Sequence, residues 1–159
     1  MSFQDGIKPR GFVQRIIEYK SGKIDTIEFP NTVLTTGRQA LAATLTNYPS
    51  NENNYYITTM LFGGSGTDDD GSTKVVYTSR TGLFGPTLAT KSVVATIDPA
   101  VATQAIFTAV ISYSECNGET LNEMALKMAN NDLYSMVTFP DLTKTSSMQI
   151  TWNWRLSFV

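Results

Sequence analysis

Apolar and polar residues alternate from Met148 to the end of the chain. Met148, Ile150, Trp152, Trp154, Leu156 and Phe158 are separated by Gln149, Thr151, Asn153, Arg155 and Ser157. Successive side chains of a strand point to opposite faces, so this run predicts one long strand with one buried face. Trp152 and Trp154 share that face with four other apolar residues, which makes them core rather than a sugar-stacking platform. Runs rich in β-branched and aromatic residues at 11–19 and 24–29 flank Lys20-Ser21-Gly22-Lys23 and predict a hairpin, with Pro30 ending its second strand or confining it to an edge. Further strands are expected at 55–62, 75–78, 92–97 and 104–113, with Asn117-Gly118 a turn signal. Residues 121–128 fit two periods: Leu121, Met124, Ala125 and Met128 suit a helix, while Met124, Leu126 and Met128 suit a strand. The turn residues Asn130-Asn131-Asp132 and the run 133–139 behind them favour a hairpin.

One helix is expected. Arg38 to Leu45 is rich in strong helix formers, Thr35 or Thr36 is placed to cap it, and Leu41, Ala42 and Leu45 form a narrow apolar stripe suited to lying on a sheet. Asn47-Tyr48-Pro49-Ser50-Asn51 breaks it. Many short strands, frequent turns and one short helix predict a mainly β fold, an antiparallel β-sandwich, formed as one domain over residues 11–159. Residues 1–10 read as a polar arm that orders on assembly.

Charge and composition then remove function classes. Only 16% of the 159 residues are charged, the formal net charge is -2, and there is one cysteine and no histidine. Without histidine there is no Ser-His-Asp or Cys-His couple and no His-ligated metal, and one cysteine makes no internal disulfide. Without a basic patch, nucleic acid is not an expected partner. No apolar run approaches the length of a membrane span, and Met1 to Asp5 do not look like a secretory leader, so no membrane partner is expected either.

The remaining candidate chemistry is sparse. Gly63-Gly64-Ser65-Gly66-Thr67 lacks the lysine of a phosphate loop and runs into Asp68-Asp69-Asp70, which would repel phosphate. Those three aspartates offer oxygen ligands for calcium, but their spacing misses the EF-hand register, and a solvated acidic loop is the expectation. Cys116 lies between Glu115 and Glu119, which disfavour its thiolate, so an inert thiol is expected. A carboxylate pair such as Asp132 and Asp141 is what a glycosidase would need. The expectation is no enzyme, no cofactor, no metal and no catalytic residue.

Asn31 to Leu41 and Met60 to Thr67 resemble segments of small virion structural proteins of tailed bacteriophages. Leu121 to Leu126, Asp132 to Tyr134, Phe139, Lys144 and Met148 to Trp154 are similar to a recurrent phage pattern. In it a Glu-x-x-Leu strand leads through a turn to a second strand, a lysine and a final alternating strand; it is also found in tail-fibre attachment domains. The resemblance implies a non-enzymatic building block, made in the host cytoplasm and residing in the virion. Its implied partners are capsid, neck or tail subunits and further copies of itself. With no fibre shaft after Val159, a complete host-binding fibre is not expected. A low-charge Thr/Ser/Asn surface suits such packing, because it loses less on desolvation than a Lys/Glu surface. The alternative is a carbohydrate-binding module using Tyr55 and Tyr56, with or without calcium at Asp68, Asp69 and Asp70.

Overall fold

The computed structural model describes residues 9–46 and 55–158. Its strands form two antiparallel sheets of five. The first sheet holds β1 (Pro9–Tyr19), β2 (Ile24–Pro30), β6 (Val94–Ile97), β7 (Gln104–Ile111) and β10 (Met148–Phe158), in the order β2-β1-β10-β7-β6. The second holds β3 (Thr32–Val33), β4 (Ile57–Gly63), β5 (Thr87–Ser92), β8 (Thr120–Met128) and β9 (Leu133–Thr143), in the order β3-β9-β8-β4-β5. Among the described residues there is a single helix, α1 (Thr35–Thr46), which follows β3. This is the mainly β sandwich with one short helix that the alternation predicts.

The last strand is its spine. β10 runs between β1 and β7, with Val13 opposite Trp154 and Ile17 opposite Ile150 on one side, and Phe107 opposite Trp154 on the other. Its burial alternates along its length, and Trp152 and Trp154 are fully buried. Trp152 reaches across to the second sheet, its ring 5.4 Å from that of Phe62 and 5.2 Å from that of Phe139, in tilted pairs that interlock the layers. The outward face of the first sheet is a polar ladder instead. Thr108 Oγ1 donates to Asn153 Oδ1 at 2.9 Å, and Asn153 Nδ2 donates to Gln14 Oε1 at 3.2 Å.

The hairpin at 121–128 and 133–139 is present as β8 and β9. β8 is buried on both faces, because its outward side is roofed by residues of the 64–86 segment, while α1 lies over the neighbouring β9. Under that roof Leu34, Ala125, Leu133 and Met136 make a second small core with Val76, Leu83 and Phe84. A strand covered on both sides has no polar face to set a period of two, which is why its sequence also fits a helix.

Several expectations are corrected. Residues 75–78 are not a strand but part of the roof, held where Thr78 O accepts the Thr35 N–H at 2.8 Å. The run 92–97 is not one strand: β5 ends at Ser92 in the second sheet, β6 begins at Val94 in the first, and the chain changes sheets at Val93. Neither Thr35 nor Thr36 caps α1 from outside. Both lie in its first turn, the Leu34 carbonyl accepts the Arg38 N–H, and Thr36 Oγ1 donates to Leu133 O. The leucine stripe carries the helix onto the sheet only in part: Leu41 packs against the core, but Leu45 is 84% exposed and the buried positions are Gly37 and Ala40. Of the expected arm, Pro9 and Arg10 belong to β1, and residues 1–8 lie outside the described residues, as does the break at 47–51.

Candidate functional site

The densest polar constellation is built on β8 beneath the roof. Between Leu121 and Glu123 the β8–β9 register is irregular, which re-aims neighbouring side chains so that both Asn122 and Glu123 reach the same loop. Both are buried. Glu123 Oε1 accepts the N–H groups of Ser65 at 3.1 Å and Gly85 at 3.2 Å, while Oε2 accepts that of Phe84 at 2.6 Å. Asn122 Oδ1 accepts the Gly66 N–H at 2.6 Å, and its Nδ2 donates to Thr67 Oγ1 and to Asp141 Oδ1, each at 2.9 Å. Thr67 Oγ1 also donates to Asp141 Oδ1 at 2.9 Å, and these two bonds hold the Asp141 carboxyl below its usual range.

The glycines are what let the loop come this close. A Cβ at Gly66 would stand 2.4 Å from Asn122 O, and one at Gly85 would stand 2.1 Å from Ser65 Oγ. One N–H of the glycine loop, that of Ser65, does meet a carboxylate, but it is the chain's own Glu123, and the other N–H donors, Phe84 and Gly85, come from the segment before β5. Around it Lys74 Nζ donates to Ser65 O at 2.8 Å, and Arg80 stacks 3.7 Å over the Phe84 ring while donating to the carbonyls of Gly82 and Leu83. The chemistry of this arrangement is fastening: a buried carboxylate and amide join two irregular segments to one strand. The arrangement leaves a mark in the sequence. The signal is a polar pair, Asn122-Glu123, inside an apolar run, together with glycines at 63, 64, 66 and 85.

A second polar junction lies where the chain crosses between the sheets. Lys144 is fully buried between the β7–β8 and β9–β10 connections, its Nζ donating to Asn117 Oδ1 at 3.1 Å and to Thr145 O at 2.9 Å. Burial pushes its amine down. Cys116, next to that turn, has φ 55° and is half-buried, and burial followed by the Glu115 charge raises its thiol. That is the direction an unreactive thiol takes. Glu115 instead binds Lys91 Nζ at 2.7 Å and the Ser112 N–H at 2.8 Å, which hold its carboxyl down to about 2.

The other sequence candidates stay apart. Asp68, Asp69 and Asp70 are exposed, and Asp70 Oδ1 turns back onto the Ser72 N–H at 2.9 Å and its hydroxyl at 2.6 Å. Among the described residues no three Cys, Asp or Glu side chains gather as metal ligands. Asp132 precedes β9 and Asp141 lies near its far end, roughly 30 Å away along an extended strand, which is several times the spacing of a glycosidase pair. Tyr56 is 65% exposed, but Tyr55 packs against the core, so the two do not form a flat platform. Among the described residues no helix is long and apolar enough to cross a membrane. Comparison with protein-family models, curated proteins and solved structures finds no match to this chain.

Proposed function

We propose that this chain is a non-enzymatic structural subunit of a tailed-bacteriophage virion, packing on capsid, neck or tail proteins and on further copies of itself. The observation that carries the reading is the outward face of the first sheet. Several of its polar groups are tied to one another across strands: Gln14, Asn153 and Thr108 in one row, Ser157 with Gln104 in another at 2.9 Å. Amides and hydroxyls already satisfied within the sheet lose little when a neighbour displaces their water, and Phe12 and Val110 add exposed apolar area on the same face. The buried acid and amide are engaged in fastening loops, which supports a role in holding shape rather than turning over a substrate. The sequence resemblance supplies the setting.

The test is the protein's copy number in purified particles, by quantitative mass spectrometry and labelling. Many copies per head indicate decoration, while six, twelve or a few indicate the neck or the tail and fibre attachment. Absence from purified particles overturns the reading. The carbohydrate-binding alternative rests on the exposed ring of Tyr56 alone, and a glycan array without binding removes it.

A further inference from the structure

We infer that the β6 edge pairs with the β6 edge of a second copy, joining the first sheets of two molecules across a two-fold axis at Thr96. This deepens the packing role proposed above by naming an edge and a first partner, and it stands on β6 itself.

The argument starts from which edge is left open. The first sheet ends in β2 and β6. β2 is guarded: a Lys23–Asp25 ion pair at 3.0 Å, Glu28 and the closing Pro30 all discourage another strand. β6 reads Val94-Ala95-Thr96-Ile97, without charge or proline, and all four residues are exposed. Val94 is 67% and Ile97 63% exposed, with Leu88, Val101 and Val110 exposed on the neighbouring segments. The edges of the second sheet are less open. β3 has two residues, and the lysine of β5, Lys91, is bound to Glu115.

The backbone then selects the partner. Asp98 N–H donates to Gln104 O at 2.9 Å, so this opposed pair is a bonded one. Bonded and non-bonded pairs alternate in an antiparallel ladder, which makes Thr96 opposite Ile106 and Val94 opposite Thr108 the next bonded pairs. Ala95 and Ile97 therefore turn their N–H and C=O groups off the free edge. Two such edges laid antiparallel match: Ala95 of each copy exchanges both bonds with Ile97 of the other, and Thr96 faces Thr96 on the axis. Asp98 falls opposite Val94, so no like charges meet. The register is its own mirror under a two-fold rotation, as an isologous dimer requires, and it places a hydroxyl pair in the close, non-bonded position that suits threonine.

The experiment uses the purified full chain. Sedimentation equilibrium should give a dimer, and Ile97→Lys, which sets a charge in the pairing edge, should shift it to monomer with an unchanged circular-dichroism spectrum and a melting temperature that no longer rises with protein concentration. In a Cys116→Ser background, Thr96→Cys should form a disulfide-linked dimer on mild oxidation, since non-bonded pairs bring Cα atoms to about 4.5 Å, within disulfide range. Thr26→Cys on β2 should stay unlinked. A monomeric wild type, or Thr96→Cys linking no faster than Thr26→Cys, overturns the inference. If the wild type is monomeric but Ile97→Lys is lost from particles, the dimer is wrong, the edge takes a different subunit and the packing role stands. If the dimer forms but the protein is absent from particles, the packing role fails and the dimer stands.

Discussion

Gly63 lies directly opposite Glu123 in the β4–β8 pair, and a Cβ at Gly63 would stand 2.5 Å from Glu123 Oε1. The absence of a side chain at 63 is thus what leaves room for a buried carboxylate to hold two loops. β4 is also irregular between Phe62 and Gly63 where it pairs with β5, so the strand bends at the point where the glycine loop leaves it.

Replacing either partner should loosen the roof while leaving the sandwich folded. Glu123→Gln keeps the shape but turns an amide NH2 toward N–H donors, and losing hydrogen bonds to a buried charge costs about 2–3 kcal/mol. Gly63→Ala must push the Glu123 side chain off its three N–H partners and should cost about 2 kcal/mol. Chemical denaturation gives the loss, and hydrogen exchange should quicken at Ser65, Phe84 and Gly85 in both variants. Wild-type exchange at those amides would refute the fastening role.

The mounting of α1 leads to a contrast between two substitutions. A Cβ at Gly37 would stand 2.3 Å from the Tyr134 carbonyl oxygen, a backbone atom that cannot step aside, whereas Leu45 is almost wholly in water. Gly37→Ala should therefore destabilise by about 2 kcal/mol despite alanine's better helix propensity. Leu45→Lys should change stability by less than about 0.5 kcal/mol. If the leucine substitution proves the costlier, the helix docks by its apolar stripe after all.

The same contrast explains what was legible in the sequence. β10 was readable because one of its faces meets water and the other the core, so burial and polarity alternate together. β8 was ambiguous because both faces are covered, and the roof that covers one of them is irregular chain with no period to read. The split of 92–97 was invisible for a related reason. Val93 is apolar and β-branched like Val94 beside it, and only the tertiary structure assigns Ser92 and Val94 to different sheets. The Asn122–Glu123 fastening needs partners 38 to 58 residues away, and local pattern carries no information about them. Helix propensity marked α1 correctly but could not show that a glycine, through close approach, is what docks it.

The Lys91–Glu115 pair sets an acid dependence. Glu115 titrates at about 2 in the folded chain against 4.5 when unperturbed, so it binds fewer protons folded than unfolded between those values. Its contribution is fully present above about pH 4.5 and is lost as pH falls toward 2. Both side chains are partly in water, at 26% and 39% exposure, so the contribution should be no more than about 1 kcal/mol and should shrink with salt. Subtracting the stability of Glu115→Gln from that of wild type across pH 2 to 7 isolates it. A flat difference would mean the pair adds nothing.

Tyr134 should act at the other end of the pH scale. The residue is 4% exposed, its hydroxyl has no hydrogen-bond partner among the described residues, and burial pushes its pKa up to about 12 from 10.0. Between those values the folded chain keeps a proton that the unfolded chain has lost, so stability falls as pH rises through this window. A shift of this size corresponds to roughly 3 kcal/mol. Tyr134→Phe removes the titrating group, so its stability curve should stay flatter than wild type above pH 10. At neutral pH the substitution also removes an unpaired buried hydroxyl and should be neutral or stabilising by about 1 kcal/mol. Lys144, whose amine is pushed down by burial, acts in the opposite sense, so it is the difference between wild type and Tyr134→Phe that reports the tyrosine. A loss of more than about 1 kcal/mol at pH 7 would show that the hydroxyl is satisfied in solution, by water or by another part of the chain.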